Sequence, residues 1–406
     1  MTGTVLTEPL LALRDIAAEW ATGLRVAGAV LDRDPEAVAQ FADLPAVRCM
    51  AQLLVPGEYG SEGINVAGRR FHGMTALERT VLLEEFARGD AGATLAAPGA
   101  SMSGVLLDVL GDDEQKAWFY GRLVDRPTWT FFALTEPDAG SDANALTTSL
   151  TPGPDGDFVL NGRKRYVGNA SRAGMGVVFA RTAPGPLGVR AVLVDTASPG
   201  FHAEPLGMLG LRGARFCALE FDNLRIPANR VLGRHLSPAR RGMWAATLTF
   251  NRLRPGVAAI AIGIARAAHE YVRAEGGLLT GGAAAEWDQL GYRIESVRNL
   301  VHLAAMEVDA DGSRGGHLAS SAKAEASRLA EDATRAACRF FGPSARWTHP
   351  LLDKLVRDAR GVEFMEGAAN IQKLIVFTGL LAGKVGQGES FPALNALSGT
   401  GGLPCG

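Results

Sequence analysis

The hydrophobic pattern of this chain changes its period twice, and this limits the folds that the chain can adopt. Up to about residue 126, apolar residues recur at steps of three and four, as in LLALRDIAAEWA, which is typical of amphipathic helices. In MTALERTVLLEEFA, Thr75 followed by Glu78 predicts a capping-box start. Near Pro127 short runs of β-branched and aromatic residues take over, and from about residue 238 the helical period returns. We therefore expect helices, then strands, then helices again.

The domain boundaries follow from these changes. We expect an N-terminal all-helical domain over residues 1–126, a central β domain over 127–237, a C-terminal helical domain over 238–388 and a flexible tail over 389–406. In the third block, one apolar stripe runs along a single helix face at steps of four and three and comprises Leu290, Ile294, Val297, Val301, Ala304 and Val308. The fold class is therefore α+β, and mainly α.

The central block predicts an antiparallel sheet, either a barrel or a sandwich. Its runs TWTFFAL, DFVLNGRKRYV, GVVFAR, VRAVLVD and FCALEFDNLRI are separated by Gly, Pro, Asn and Asp. The gaps between these runs are too short for crossover helices, which parallel neighbours would need. Asn161-Gly162 predicts a hairpin turn, because both residues tolerate positive φ.

Composition excludes several functional classes. The formal net charge is -2, so the chain lacks the basic excess of a nucleic-acid-binding protein. The longest apolar run, at 257–265, is too short to cross a membrane, and the N-terminus does not resemble a signal peptide. Four dispersed cysteines suit a reducing compartment, so we expect a soluble, cytoplasmic protein. Six of the 41 basic residues are lysines, which we interpret as codon bias.

Several catalytic motifs are absent from the sequence. The seven histidines show no metal-ligand pairing, so we expect no metal site. There is no nucleophile elbow and no P-loop. Gly207, Gly210 and Gly213 have the wrong spacing for a dinucleotide fingerprint. Hydrolase, kinase and NAD-dependent functions therefore lose support.

Two segments carry candidate chemistry. In FFALTEPDAGSDA (131–143), a strand ends at Thr135 and leaves hydroxyls and free N–H groups that can bind a phosphate or the polar edge of a heteroaromatic ring. The alternative is an ordinary hydrophilic turn. In RDARGVEFMEGAANIQKLIV (357–376), Glu363 and Glu366 lie three residues apart in a helical region, beside Phe364 and Met365. A carboxylate there is a candidate general base whose pKa desolvation would raise, and the alternative is a solvated surface acid.

Taken together, these segments resemble the acyl-CoA dehydrogenase superfamily. The match rests on TEPDAGSD at 135–142, LNGRKRYVGN at 160–169, GLRGAR at 210–215 leading to FDNLRIPANRVLG at 221–233, and KLVRDAR with FMEGAANIQK between 354 and 373. The resemblance implies a helical N-terminal domain, a central β-barrel and a C-terminal four-helix bundle. It also implies FAD between barrel and bundle, paired subunits that complete each other's FAD sites, and removal of an α-proton and a β-hydride from an acyl thioester.

The resemblance assigns roles to individual residues. Glu366 falls at the position of the catalytic base, and its backbone N–H would help to hold the thioester carbonyl. Some members place the base on an earlier helix, where this chain has Leu253. The cofactor-binding residues implied are Phe132, Thr135, Gly140, Ser141, Tyr166, Gly168, Thr280, Gln289, Gly342 and Asn370; those implied for substrate are Ser141, Arg254 and Gly367.

The chain departs from the family mainly at the cofactor. Tyr166 replaces a Trp, and Gly168 replaces a Thr whose hydroxyl approaches the flavin. Leu278 replaces a phosphate-facing Arg in the loop that reaches the neighbouring subunit, Phe341 interrupts a Gly-Gly pair, and Ala368 replaces a Thr. Losing charge-assisted contacts predicts weaker FAD binding.

Three functional hypotheses remain open at this point. The first is an FAD-dependent dehydrogenase of an acyl thioester, carried by CoA or by an acyl carrier protein, with a biosynthetic role and a homodimeric or homotetrameric assembly. The second is a flavin-dependent oxidase or hydroxylase on the same fold. The third is a non-catalytic paralogue with impaired FAD binding.

Overall fold

Helices form the first and last parts of the described chain, where the sequence repeats its apolar residues at helical steps. The computed structural model describes residues 6–140, 145–311, 315–381 and 383. The N-terminal helices are α1 (Glu8–Leu31), α2 (Pro45–Gln52), α3 (Ala76–Ala96), α4 (Ser101–Leu110) and α5 (Asp113–Asp125). A short antiparallel hairpin, β1 (Ile64–Val66) with β2 (Arg69–Phe71), lies between α2 and α3. The N-terminal block is therefore not entirely helical, because the Gly-rich segment before Ile64 leads into extended backbone.

Helix α3 begins where the sequence predicted. Thr75 is the N-cap, and its hydroxyl accepts a hydrogen bond from the Glu78 N–H at 3.2 Å. The carboxylate of Asp309 accepts two more, from Ala76 N at 2.6 Å and Leu77 N at 3.0 Å. The first N–H groups of a helix have no partner within it. A residue from the C-terminal block therefore completes the cap of an N-terminal helix.

The central block forms one seven-stranded sheet. Its strands are β3 (Thr130–Ala133), β4 (Ser149–Pro152), β5 (Phe158–Val167), β6 (Met175–Arg181), β7 (Val189–Asp195), β8 (Phe201–Pro205) and β9 (Cys217–Ile226). Neighbouring strands follow the order β3-β6-β4-β5-β9-β8, and β7 also pairs with β6. The β4–β5, β5–β9, β6–β7 and β8–β9 pairs are antiparallel, whereas β3 and β4 each pair with β6 in parallel. The sheet is thus mixed, because strands distant in sequence can pair in parallel without a crossover helix.

The Asn161-Gly162 pair does not form the predicted hairpin. Both residues lie inside β5, at a register shift in its pairing with β9. Gly162 has φ +142, and a Cβ there would lie 2.7 Å from the Cα of Thr148. Asn161 Oδ1 accepts a hydrogen bond from the Asn223 N–H at 2.7 Å. The same conformational freedom that suits a turn here serves a β-bulge.

The C-terminal block consists of long helices around one core. They are α6 (Met243–Glu275), α7 (Gly281–Ala310), α8 (Gly316–Phe341), α9 (Ala345–Thr348), α10 (Pro350–Glu363) and α11 (Ala369–Leu381). Helices α6, α7, α8 and α10 share this core with part of α3, and the apolar run at 257–265 lies at its centre. No helix within the described ranges is both long and apolar enough to cross a membrane.

Helix α3 joins the N-terminal and C-terminal blocks through buried charges. Glu84 is 2% exposed and bonds to Arg266 of α6 at 2.6 Å and Arg298 of α7 at 2.9 Å. Glu85, equally buried, also bonds to Arg266 at 2.6 Å. Buried carboxylates need such partners because desolvation of an unpaired charge is costly.

A second buried cluster attaches α10 to α3. The Lys354 ammonium lies 2.7 Å from Asp90 Oδ2 and 2.6 Å from Asp358 Oδ2. Asp90 has non-helical backbone angles, and its other oxygen accepts from Ala93 N at 2.8 Å. Asp358 Oδ1 accepts from Leu211 N at 2.7 Å. This cluster fixes the helix that leads to Glu363 and Glu366.

We expect Lys354→Met to destabilise the protein by about 3–5 kcal/mol, because it leaves two buried carboxylates without a cation. Urea-induced unfolding followed by circular dichroism measures this loss. Arg346→Met is the control, since it removes a partly exposed ion pair with Asp353 and should cost less than about 1 kcal/mol. If both variants lost the same free energy of unfolding, the buried cluster would not have the importance assigned to it.

Candidate functional site

Glu366 lies in a tight turn between two helices. Helix α10 ends at Glu363 and α11 begins at Ala369, so the predicted helical setting of Glu366 is wrong. Glu366 has φ +52 and Gly367 has φ +98. A Cβ at Gly367 would lie 2.6 Å from Gln372 Nε2, so the turn requires glycine there. A left-handed non-glycine residue is uncommon and often marks a functional site.

Glu366 is half-buried, and the Oε2 atom of its carboxylate is shielded from solvent in the field of three cations. Its Oε2 atom has no hydrogen-bond partner in the described part of the chain. Burial raises the pKa of Glu366 to about 8, against the opposing charges of Arg254 on α6, Lys323 on α8 and Arg79 on α3. A carboxylate with a near-neutral pKa and a free oxygen is suited to accept a proton from a bound molecule.

Arg254 and Arg79 reach this region from different helices. Arg254 is 5% exposed, donates to Asn251 Oδ1 at 2.6 Å and leaves its buried Nε without a partner among the described residues. Arg79 donates to the carbonyls of Gly73, Met74 and Arg252 at 2.7–2.8 Å. Arg79 therefore holds α3 against α6, while Arg254 retains a donor for a ligand.

A row of aromatic rings connects Arg254 to the central sheet. The Arg254 guanidinium lies 5.8 Å from the ring centre of Phe250. Phe250 in turn lies 5.9 Å from Phe132 at the end of β3, and Phe132 lies 5.3 Å from Phe179. Aromatic contacts thus link Arg254 on α6 to the strand that leads into the loop after β3.

The loop after β3 is fixed by a buried acid. Glu136 accepts hydrogen bonds from the backbone and hydroxyl groups of Thr147 and Thr148 at 2.6–2.9 Å. Lys164, fully buried, lies 2.9 Å from Glu136 and donates to Leu134 O at 3.0 Å. Burial opposes ionisation, but the bonds from Thr148 and the charge of Lys164 together lower the pKa of Glu136 to about 2.

The end of β5 adjoins this loop and presents an aromatic ring. Arg165 N donates to Thr135 O at 2.9 Å, which joins β5 to the loop after β3. Tyr166 has φ +60 and is 54% exposed. At Gly168 an added Cβ would meet nothing closer than 3.7 Å. Half-buried Thr135 and exposed Gly140 complete this surface, while Ser141 lies outside the described residues.

The remaining predicted cofactor residues lie elsewhere on the chain. Thr280 is the exposed N-cap of α7, Gln289 is exposed on α7, and Asn370 is exposed on α11. Gly342 is the C-cap of α8 with φ +84. These four residues therefore lie at helix ends and on helix surfaces.

Comparisons with known proteins agree with this architecture. Residues 131–224 match the model of the acyl-CoA dehydrogenase middle domain, and residues 240–381 match that of the C-terminal domain. An acyl-CoA dehydrogenase of Bacillus subtilis is 34% identical over 285 residues, which is 67% of this chain and 74% of that protein. The chain belongs to the acyl-CoA dehydrogenase family.

Solved structures show the same fold. Butyryl-CoA dehydrogenase from Megasphaera elsdenii matches with a TM-score of 0.78 at 26% identity, over 93% of this chain and 99% of that one. The prolyl acyl carrier protein oxidase AnaB matches with a TM-score of 0.73 at 21% identity, over 93% and 100%. As an acyl-CoA dehydrogenase family member, the chain is an FAD-dependent oxidoreductase of acyl thioesters.

The residues around Phe132 and Tyr166 fit the family's flavin. Exposed Tyr166 offers a ring face, an added Cβ at Gly168 would meet nothing closer than 3.7 Å, and Lys164 anchors Glu136 in the described residues after β3. Among the departures from the family, Leu278 is 91% exposed, while the Phe341 ring packs 4.0 Å from His349 and 5.9 Å from Tyr271. These departures fall in three places, while Glu366 itself is retained. Leu278 precedes α7 and Phe341 ends α8, Tyr166 and Gly168 lie at the end of β5, and Ala368 directly follows the Glu366 turn.

Sequence reasoning missed three cations of this site. Arg79, Lys164 and Lys323 were not singled out, although each is buried. Lys323 lies on the alanine stripe of α8, between Ala319 and Ala326. A charged residue on an otherwise apolar helix face was the available signal.

Proposed function

We propose that this protein removes hydrogen from the α- and β-carbons of an acyl thioester, with Glu366 as the general base. The observation that supports this most strongly is the buried Oε2 of Glu366, which has no hydrogen-bond partner among the described residues, together with the equally unpartnered Nε of Arg254, whose charge acts on Glu366. A surface acid would have solvent around it, and a purely structural buried acid would have its oxygens bonded.

In the proposed reaction, Glu366 takes the α-proton while the carbon–hydrogen electrons form the new double bond and a hydride leaves the β-carbon. FAD, when bound, supplies the acceptor for that hydride. The Glu366 N–H makes no hydrogen bond to the described part of the chain. It is therefore available to hold the thioester carbonyl and to stabilise the enolate-like charge as the proton leaves.

We expect Glu366→Gln to lower kcat by about 10²–10⁴-fold, because the amide cannot accept the proton. In the native protein the rate should rise with pH and level off above about 8, since only ionised Glu366 can act and burial raises its pKa to about 8. The rate of anaerobic flavin bleaching by an acyl thioester measures both the loss in Glu366→Gln and the pH dependence of the native protein.

Glu325→Gln on α8 is the matched control for this test and should keep the native profile, because its carboxylate pairs with Arg328 at the surface. Undiminished bleaching by Glu366→Gln would contradict the assignment. Oxygen consumption without an added acceptor would instead indicate the oxidase reaction.

We further propose that the acyl group arrives on a carrier protein, as in biosynthesis. Residues 223–269 contain eight arginines and neither Asp nor Glu. Within this stretch Arg234, Arg240 and Trp244 are exposed, and the Arg240 guanidinium lies 5.4 Å from the Trp244 ring. We call Arg234, Arg240 and Trp244 the basic patch. Acyl carrier proteins are acidic, so the basic patch suits them by charge complementarity.

One face of α6 extends from the basic patch to Arg254. Four residues share this face at steps of three, four and three. Trp244 and Thr247 are exposed, whereas Asn251 and Arg254 are buried. Ten residues of helix span about 15 Å. This is a suitable distance for a pantetheine arm that enters from the surface.

We expect Arg234→Ser combined with Arg240→Ser to raise KM for a carrier-protein thioester roughly 5- to 30-fold, because two surface charges contribute up to about 1 kcal/mol each. KM for an N-acetylcysteamine thioester, which has no charged carrier, should not change. Arg225→Ser is the control, since Arg225 lies in the same stretch but pairs with Asp157. A rise confined to CoA thioesters would identify CoA as the carrier instead.

We also propose that a second copy of the chain covers α11. One face of α11 begins at Asn370 and continues, at steps of four, three and four, through Leu374, Phe377 and Leu381. These three apolar side chains are 54–73% exposed. A contiguous exposed apolar patch of this kind marks an interface. Pairing through it would bring Asn370, one of the cofactor residues that the family resemblance implies, into the contact between the two copies.

We expect Phe377→Asp to shift the native mass, measured by light scattering, towards the 42.7 kDa monomer and to reduce retained FAD, because burial of the new charge opposes association. Val26→Asp is the control, since Val26 is a 65% exposed apolar residue of α1 outside this face. A native protein that is monomeric yet retains FAD would overturn the proposal.

A further inference from the structure

Lys323 is a buried lysine whose ammonium bonds to the turn that carries Glu366. Its side chain is fully buried on the alanine-rich face of α8. Its Nζ donates to the Glu363 carbonyl at 2.6 Å and to the Gly367 carbonyl at 2.9 Å. These two carbonyls lie on either side of Glu366, so one ammonium spans the whole turn.

The turn needs such a support because its backbone is strained and ends a helix. Glu366 and Gly367 are both left-handed, and the Glu363 carbonyl is among the last of α10, which have no partner within the helix. Gln372 Nε2 donates to the Glu366 and Gly367 carbonyls at 2.9 Å each. The Glu363 carboxylate accepts from Ala369 N at 2.7 Å, at the start of α11.

Lys323 also brings charge to the Glu366 carboxylate. The charged groups that face Glu366 are Arg79 from α3, Arg254 from α6 and Lys323 from α8, while Glu363 at the end of α10 lies 3.9 Å from the Lys323 ammonium. Arg79 bonds to three carbonyls, and Arg254 keeps a free donor for ligand. Lys323 alone of these three cations bonds directly to the backbone of the turn within the described residues.

We propose that Lys323 is a positioning residue of Glu366: its ammonium binds the carbonyls of Glu363 and Gly367 and so fixes the turn that presents the carboxylate. This role rests on the proposed function of Glu366 and adds a second residue, on a different helix, to the control of proton transfer. A purely structural lysine would affect stability but not the ionisation of Glu366.

The test compares the pH profiles of Lys323→Met and native holoenzyme, both loaded with FAD. The rate of exchange of the thioester α-hydrogen with deuterated solvent is followed by NMR. We expect the profile of the variant to move upward by about one pH unit, since a nearby opposite charge lowers a carboxyl pKa by at least that much. The rate near neutral pH should then fall about tenfold and recover at high pH.

Arg298→Met is the matched control, because it removes another largely buried cation of the C-terminal block, one that pairs with Glu84 and Glu295 and not with the Glu366 turn. It should lower stability and leave the pH profile in place. If Lys323→Met proves too unstable to purify, Lys323→Gln keeps an N–H donor towards the turn and should show the same upward shift.

An unchanged profile in both Lys323 variants would overturn the proposal and leave Lys323 with a structural role only. This result differs from a failure of the proposed function. In that case the native protein itself would not exchange the α-hydrogen, or Glu366→Gln would exchange it as fast as the native protein.

Discussion

The pairing of buried charges on α3 is the constraint on which the rest of the molecule depends. This helix is buried along most of its length although it carries several charged residues. Arg79 reaches the backbone of α6, Glu84 pairs with α6 and α7, and Asp90 pairs with Lys354 of α10. Separation of the two helical blocks would leave Glu84 and Asp90 without their cations and would remove one of the three carbonyls that Arg79 binds. The α3 contacts therefore fix α10, and α10 leads directly into the turn of Glu366.

The candidate base illustrates two opposed requirements. A carboxylate must be shielded from water to bind protons near neutral pH, yet it must also be able to ionise. Burial alone would favour the protonated form of Glu366. Cations from three helices oppose that effect, and none of them needs to occupy the Oε2 atom that a substrate would use. The site thus separates the groups that tune the carboxylate from the space in which it acts.

The sequence predicted the order of helices and strands, the start of α3 at Thr75 and the family, because periodicity and capping are local properties. It failed where the same local signal has two uses. Asn161-Gly162 permits a hairpin or a bulge, and only the pairing of β5 with β9 decides between them. Helical flanks hid the left-handed turn at Glu366. Lys323 was missed because its partners are backbone carbonyls some 40 residues away, which no pattern of residue types records.

The rarity of lysine has a structural side that composition did not show. Of the five lysines in the described part of the chain, Lys164, Lys323 and Lys354 are buried and each bonds to acids or carbonyls. Basic groups elsewhere are almost all arginines, which stay protonated at any physiological pH. Thioesters acylate unprotonated amines without enzymatic help. A protein that works on thioesters while exposing so few amines offers its own substrates little surface to modify.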